Sequence, residues 1–280
     1  MNIFINGSPA DITLETEKTV GDILLGLEAW LTGTGNRLSG LSIDGKEIGV
    51  KALDDFFSRE ISDIKNLDIR ISTWPALAAQ ALNDLRGICA YWENAGFEDR
   101  KALVSDWEKS AACVFLAAEI SDMAGFASRA FKGEGLAPSQ LSILAEERIR
   151  ELSDPGAEIE NAANAVQGIA SRLEDLPLDI QTGKDGRAAE TMQLFTRLGE
   201  KLFRLLFALK SRGLSIEGFT VDGSPVKSFM DDFSAALKEL TAAYENRDSV
   251  LVGDLAEYEL APRLIKFFEA LKEGASLTVS

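Results

Sequence analysis

Leu67-Asp68-Ile69-Arg70-Ile71-Ser72-Thr73-Trp74-Pro75-Ala76-Leu77 decides how this chain of 280 residues is built. As far as Ile71, apolar and polar residues alternate, the period of a strand with one face in a core. Beyond Trp74 the spacing lengthens to that of a helix. Leu77, Ala81, Leu85, Ile88, Cys89 and Trp92 recur on one face, and Pro75 suits a first helical turn, where its missing N–H costs no hydrogen bond. Segments before this point read as strands and turns around one main helix; segments after it read almost entirely as helices. The chain is therefore predicted to be α+β, with a small sheet module over residues 1–72 and an all-α helical bundle domain over residues 73–280.

Working back from the junction, Ile3 and Ile5 alternate with Asn2, Phe4 and Asn6, and Asn6-Gly7 signals a hairpin because both residues tolerate positive φ. Ile12 and Leu14, set between Asp11, Thr13 and Glu15, predict a second strand. Thr19 caps a helix with Asp22 in its first turn, and Val20, Ile23, Leu24, Leu27, Trp30 and Leu31 form one stripe that suits packing across a sheet. Thr32-Gly33-Thr34-Gly35-Asn36 ends this helix. Leu41 and Ile43 begin a third strand, Asp44-Gly45 turns it toward Ile48, and Ala52 to Phe57 reads as a short helical turn before the last strand.

This order resembles the ubiquitin-like β-grasp family. The resemblance is carried by Met1-Asn2-Ile3-Phe4-Ile5, Ile12-Thr13-Leu14-Glu15, Leu41-Ser42-Ile43-Asp44-Gly45-Lys46-Glu47-Ile48, Leu53-Asp54-Asp55-Phe56 and Leu67-Asp68-Ile69-Arg70-Ile71. It covers about a quarter of the chain and implies a fold more than an activity. Modifier and sulfur-carrier members end in an exposed Gly-Gly tail, whereas here the last strand runs into Ser72-Thr73-Trp74-Pro75. The resemblance therefore implies a docking or scaffolding module rather than conjugation or sulfur transfer.

Working forward, a first long helix ends near Asn94. A second is predicted from Glu98 to Ala130, with Leu103, Trp107, Ala111, Val114, Phe115, Ala118, Met123 and Phe126 inward. Others start at Pro138 and Pro155. Pro177, Gly183 and Gly186 predict a loop from Asp175 to Gly186. From Arg187 to Lys210, Ala188, Met192, Phe195, Gly199, Leu202, Leu206 and Leu209 form a heptad-like seam. Phe203 and Leu205 widen it to a bundle face, and Gly199 would admit a close helix approach. Phe219 to Ser224 reads as a turn or small hairpin. Helices follow from Pro225 to Tyr244 and from Ser249 to Lys272, the last kinked or broken at Pro262, with a loosely held tail after Gly274. The stretches Leu178 to Asp185 and Val250 to Pro262 resemble blocks of uncharacterised bacterial helical proteins, a likeness that implies no activity.

The formal net charge is −16, −5 of it in residues 1–72 and −11 in the remainder. Acidic surfaces repel phosphate backbones and anionic headgroups, so nucleic acid is not an expected partner. Membrane insertion is not expected either, because the apolar run Ala111 to Ala118 is too short to span a bilayer. Met1-Asn2-Ile3-Phe4 lacks the basic and long apolar regions of a secretory signal, and the expected location is cytoplasmic. Cys89 and Cys113 lie in apolar helical stretches and are expected as free thiols. Histidine is absent, which excludes His-dependent nucleophiles, His-ligated zinc, iron and copper sites, and the usual base near neutral pH.

Carboxylates, Lys, Tyr or a hard cation would have to carry any chemistry. Asp254 and Glu257 are three apart and share a helix face. With Asp231, Asp232 or Glu245 from the preceding helix they make an oxygen set suited to Mg²⁺ or Ca²⁺. The plainer reading is a solvated helix start with Asp248 as its N-cap and Tyr258 in contact with Arg263 or a loop. Gln181, Lys184 and Asp185 of the predicted loop, with Asp254, Glu257 and Tyr258, are the binding candidates, and no catalytic residue is assigned. No cofactor is expected. Gly40 to Glu47 matches seven positions of a phosphate-binding loop but has Glu47 where a hydroxyl must hold Mg²⁺, and it reads as a hairpin. These features lead to the expectation of a non-enzymatic interaction or scaffolding protein whose partner is another protein or a second copy. The competing expectation is a carboxylate- and metal-dependent enzyme or ligand-binding protein with its site between the last two helices.

Overall fold

The computed structural model describes residues 1–14, 16–31, 34–49 and 53–278. The expected α+β class is the one adopted, and the chain packs as two compact units, Met1–Ile149 and Arg150–Ser280.

The first unit opens with β1 (Asn2–Ile5), β2 (Ser8–Pro9), α1 (Val20–Leu31), β3 (Asn36–Ile43), β4 (Lys46–Ile48), the short α2 (Leu53–Phe57) and β5 (Asn66–Thr73). The strands form one sheet in the order β2-β1-β5-β3-β4. β1 and β5 run parallel at its centre, and the other pairs are antiparallel. Asn6-Gly7 and Asp44-Gly45 make the tight turns with all four residues at positive φ, the backbone that a two-residue hairpin requires. Val20, Ile23, Leu24, Leu27 and Leu31 of α1 bury against Ile3, Leu41, Ile43, Leu67 and Ile69 of the sheet, each worth about 1.5–3 kcal/mol. A reciprocal cap starts the helix. Thr19 Oγ1 accepts from the Asp22 N–H, and the Asp22 carboxylate accepts from the N–H groups of Lys18 and Thr19. Those backbone bonds hold the Asp22 carboxyl below its usual range.

Three details depart from the sequence reading. The second strand pairs only at Ser8 and Pro9. Proline has no N–H for the ladder, and after the Ala10 N–H bonds the Ile3 carbonyl the chain leaves the sheet, with Ile12 exposed. Glu15, Thr32, Gly33 and Ala52, parts of predicted elements, lie outside the described residues. Trp30, expected inside, is 63% exposed, because it stands about 80° around the helix from the centre of the inner stripe. The other sheet face is polar: the Arg70 side chain lies over Gly40, where a Cβ would stand 2.6 Å from the guanidinium, and pairs with Glu47.

The same unit continues through α3 (Trp74–Asn94), α4 (Phe97–Glu108), α5 (Ala111–Glu119), α6 (Ser121–Phe131) and α7 (Pro138–Ser153), whose last turn belongs to the second unit. Thr73 caps α3 by accepting from the Ala76 N–H. The single helix predicted from Glu98 to Ala130 is three. Ser110 caps α5 through the Cys113 N–H, which favours a helix start over continuation, and Ile120 leaves helical geometry at φ −138°. Ala111, Val114 and Ala118, expected inward, are exposed, and Ala112 and Leu116 take the interior. Glu119 ties sheet to helices, accepting from Arg37 of β3 at 2.5 Å and from the Trp74 indole at 2.9 Å. These two bonds hold its carboxyl below the usual range.

The second unit comprises α8 (Pro155–Gln181), α9 (Asp185–Ser211), the hairpin β6 (Thr220–Val221) and β7 (Ser224–Pro225), α10 (Val226–Glu245), α11 (Ser249–Asp254), a π-helical segment Leu255–Leu260 and α12 (Ala261–Thr278). α8, α9 and α12 pack on one another. The heptad seam of α9 is inside as predicted, and Phe195, Phe203, Phe229, Phe233 and Phe267 form a chain of ring contacts with centroids 5.1–6.0 Å apart.

The loop predicted from Asp175 to Gly186 is a correction: α8 runs through Pro177 to Gln181. The pyrrolidine ring finds room because α11 presents Gly253 to it, where a Cβ would stand 3.0 Å from Pro177. The break predicted at Pro262 is the π-helical segment just before it, where the Ala261 N–H reaches back five residues to the Ala256 carbonyl. The tail predicted loose after Gly274 stays helical to Thr278, with Gly274 buried against Phe219 and Leu214. Gly199 is buried on the seam but admits no close approach, since a Cβ there would meet nothing within 4 Å.

Two glycine substitutions should therefore have opposite signs. Gly199→Ala should raise stability by about 0.5–1 kcal/mol through helix propensity alone. Gly21→Ala should lower it by about 1–3 kcal/mol, because its Cβ would stand 2.4 Å from the Phe57 ring and 2.8 Å from the Phe57 carbonyl oxygen. Urea midpoints followed by circular dichroism check both.

Candidate functional site

The densest buried charge lies where the last turn of α7 and the first of α8 face α9. Ser153-Asp154-Pro155 sets this corner. Asp154 caps α8 by accepting from the Ala157 N–H at 3.0 Å, and Pro155 fills the first helical position. The exposed carbonyls ending α7 at Leu152 and Ser153 accept from Arg212. Glu151 and Glu158 thus point inward on either side of the corner, with side chains only 3% and 7% exposed. Arg204 grips Glu151 with two hydrogen bonds, at 2.8 and 3.0 Å. Lys201, one helical turn earlier, donates to Glu158 at 2.9 Å and stands 4.0 Å from Glu151. Arg150 completes the set at 3.2 Å from Glu158. Burial pushes the Glu158 carboxyl up, and Lys201 and Arg150 outweigh it, so its pKa lies below the ordinary value. A carboxylate held ionised this way suits helix registration and is the reverse of a general acid.

These five residues of α7, α8 and α9 escaped the sequence reading. A signal for them exists. Glu158 precedes Ala162, Val166, Ile169 and Leu173 on the inner stripe of α8, and Lys201 and Arg204 flank the buried seam at Leu202 and Leu205. A charge on an inward stripe calls for an opposite charge on the facing helix.

The α8–α9 turn holds the first group of predicted candidates. Gly183 takes φ 71° after Thr182, and the Lys184 N–H reaches back to the Asp179 carbonyl, a Schellman closure. Asp179 is buried, with Arg187 Nε at 2.9 Å and Lys184 Nζ at 3.7 Å. Arg187 also holds Asp175 at 2.9 Å. Lys184 is therefore a partner of a buried carboxylate. Gln181 and Asp185 are exposed at the helix ends.

The second group does not converge. Asp231, Asp254 and Glu257 are each exposed, and among the described residues no group of three such side chains is placed to hold a metal ion. Asp248 caps α11 through the Leu251 N–H, as expected. Tyr258 is exposed and turns to Glu257 rather than to Arg263; the hydrogen bond to that carboxylate, with its charge, raises the phenol above its usual pKa. Arg263 pairs instead with Glu259 on its own helix. Both cysteines are free. Burial pushes the Cys89 thiol up to about 12 and also raises Cys113, away from the thiolate that reactivity needs.

Residues 1–73 match the family described as the TP0873 N-terminal domain, and the match ends on the last residue of β5. Residues 158–270 match a domain of unknown function, DUF8042. A Treponema pallidum (strain Nichols) protein, described as an uncharacterized protein, is 21% identical over 262 residues, which span 94% of this chain and 92% of that protein. No solved structure matches the chain.

Removing one partner from the buried array should be expensive. Arg204→Ala should destabilise the second unit by about 3–5 kcal/mol, while Glu151→Met with Arg204→Met should cost much less, since no charge is left uncompensated. Thermal melts of the three proteins check the order. The pH dependence follows from Glu158. Its folded pKa is depressed, so its contribution is full above the unfolded carboxylate value and is lost as pH falls through the folded one. Lys201→Met should leave burial less opposed and move the acid-unfolding midpoint to higher pH, as a pH series of melting temperatures will show.

Proposed function

We propose that this chain is a non-enzymatic protein-interaction or scaffolding protein of the cytoplasm, with residues 1–73 as a ubiquitin-like β-grasp module that acts by surface contact. The observation that carries the reading is the contrast between paired charge inside and unpaired apolar surface outside. Glu151, Glu158 and Asp179 are each matched to Lys or Arg. Leu25, Trp30, Tyr91, Phe97 and Val250, by contrast, are between 56% and 71% exposed. Large aromatic and aliphatic side chains left in water favour association. The sheet order β2-β1-β5-β3-β4, with a parallel central pair and α1 across one face, supports the β-grasp part. Thr73 capping α3 supports a module without a free tail. Two free thiols suit a reducing compartment.

Sedimentation of the full chain at rising concentration, together with cross-linking in native lysate, tests the proposal. The expected result is a stoichiometric complex, with a second copy or with another protein. A chain that remains a monomer and cross-links to nothing, while its melting temperature rises with Mg²⁺ or Ca²⁺, would overturn it in favour of a ligand-binding role.

A further inference from the structure

α1 has two apolar faces and the fold uses one. Its twelve residues, Val20–Leu31, contain only two charged side chains, Asp22 and Glu28, both acidic. The inner stripe covers the sheet. The outer arc carries Asp22, Leu25, Gly26, Ala29 and, at its edge, Trp30, spaced 3-1-3-1. All five are exposed, Leu25 by 56% and Trp30 by 63%. A helix apolar on both sides is ordinarily covered on both. Here the sheet covers the inner stripe, Phe57 of α2 lies against Gly21 at its edge, and the outer arc is left open. Gly26 and Ala29 keep the middle of the arc low, so Leu25 and Trp30 flank a shallow trough along the helix.

The charge says what fits the trough. α1 has no Lys or Arg, its two charges are negative, and the chain as a whole carries −16. Asp22, held ionised by its backbone hydrogen bonds, sits at one end of the arc. An indole face at the other end attracts ammonium and guanidinium groups. An anionic lipid surface or a nucleic acid would meet repulsion here.

Resting on the interaction reading above, we infer that the outer face of α1 is the docking surface for a cationic amphipathic helix of a partner protein. The partner's apolar residues lie between Leu25 and Trp30, and its Lys or Arg residues meet Asp22 and the Trp30 ring. This is the groove-binding mode in which anchors at helical spacing give affinity and charge gives orientation.

The test uses the full chain and a fluorescent peptide of about 18 residues with Leu and Lys at helical spacing; its control carries Glu in place of Lys. Anisotropy should report binding of the Lys peptide that weakens with salt, and none of the Glu peptide. Leu25→Ala with Trp30→Ala should weaken binding by about tenfold or more. Circular dichroism should confirm an unchanged fold, since both side chains are exposed. Lys-peptide binding unaffected by the double variant would overturn the assignment to α1 and leave the wider interaction reading standing. So would absence of peptide binding together with a dimer that the double variant dissociates, which would make the occupant a second copy. No peptide binding and no complex of any kind would overturn both.

Discussion

Two glutamates inside a helical unit dictate how its helices are set. Moving an ionised carboxylate out of water costs several kcal/mol, so Glu151 and Glu158 are tenable only where cations meet them. Lys201 and Arg204 do so from consecutive turns of α9. A leucine-rich seam such as Leu202, Leu205, Leu206 and Leu209 tolerates sliding by a turn, because one aliphatic contact replaces another. A bidentate Arg204–Glu151 pair does not, since a one-turn slip of about 5.4 Å would leave charges buried alone. At the far end of α8, buried Asp179 meets Arg187 and Lys184 as ion pairs, without the hydrogen bonds that hold Glu151. The α8–α9 hairpin is pinned at both ends by charge and filled between them by aliphatic contact.

Local chemistry made much of the architecture legible before the structure. The α+β class followed from the change of period at Trp74, because side-chain period is a direct consequence of backbone geometry. Asn6-Gly7, Asp44-Gly45, Thr19, Asp248 and Pro155 all act where their φ preferences or capping oxygens predicted. The errors have two causes: a tertiary neighbour overriding a local signal, and a local signal hidden by the apolar period. Pro177 reads as a helix breaker, yet Gly253 on α11 makes room for its ring. Ser110 reads as a tolerable helix residue, yet its hydroxyl starts α5. Pro9 removes a ladder donor, and a strand that alternation extends to Leu14 ends early.

The candidate residues were less legible than the fold, for a physical reason. Exposed carboxylates draw the eye because they cluster in sequence, as Asp254 and Glu257 do, but two on one helix face make no cation site unless another element brings a third, and Asp231 does not join them. The charges that converge, Glu151, Glu158, Lys201 and Arg204, lie up to two helices apart along the chain. They are separated by apolar residues that each read as ordinary core. Lys184 was visible as a polar turn residue; its role as the partner of Asp179 was not, because Asp179 sits in the last turn of a helix predicted to have ended.

On α1 the surface that builds the fold and the surface proposed for docking are separate. Its inner stripe is shared with the sheet, so a change at Leu24 or Leu27 opens a cavity under Leu67 and Ile69 and acts first on stability. Its outer arc touches nothing that the sheet needs. Loss of Leu25 or Trp30 removes apolar surface already in water, which costs the folded state little. Exposed aromatic surface carries an aggregation cost, and the docking proposed for this arc would offset it. The polar opposite face of the sheet, where Arg70 lies over Gly40 and pairs with Glu47, offers no comparable surface. In the first 73 residues, contact with a partner has its best footing on the helix rather than on the strands.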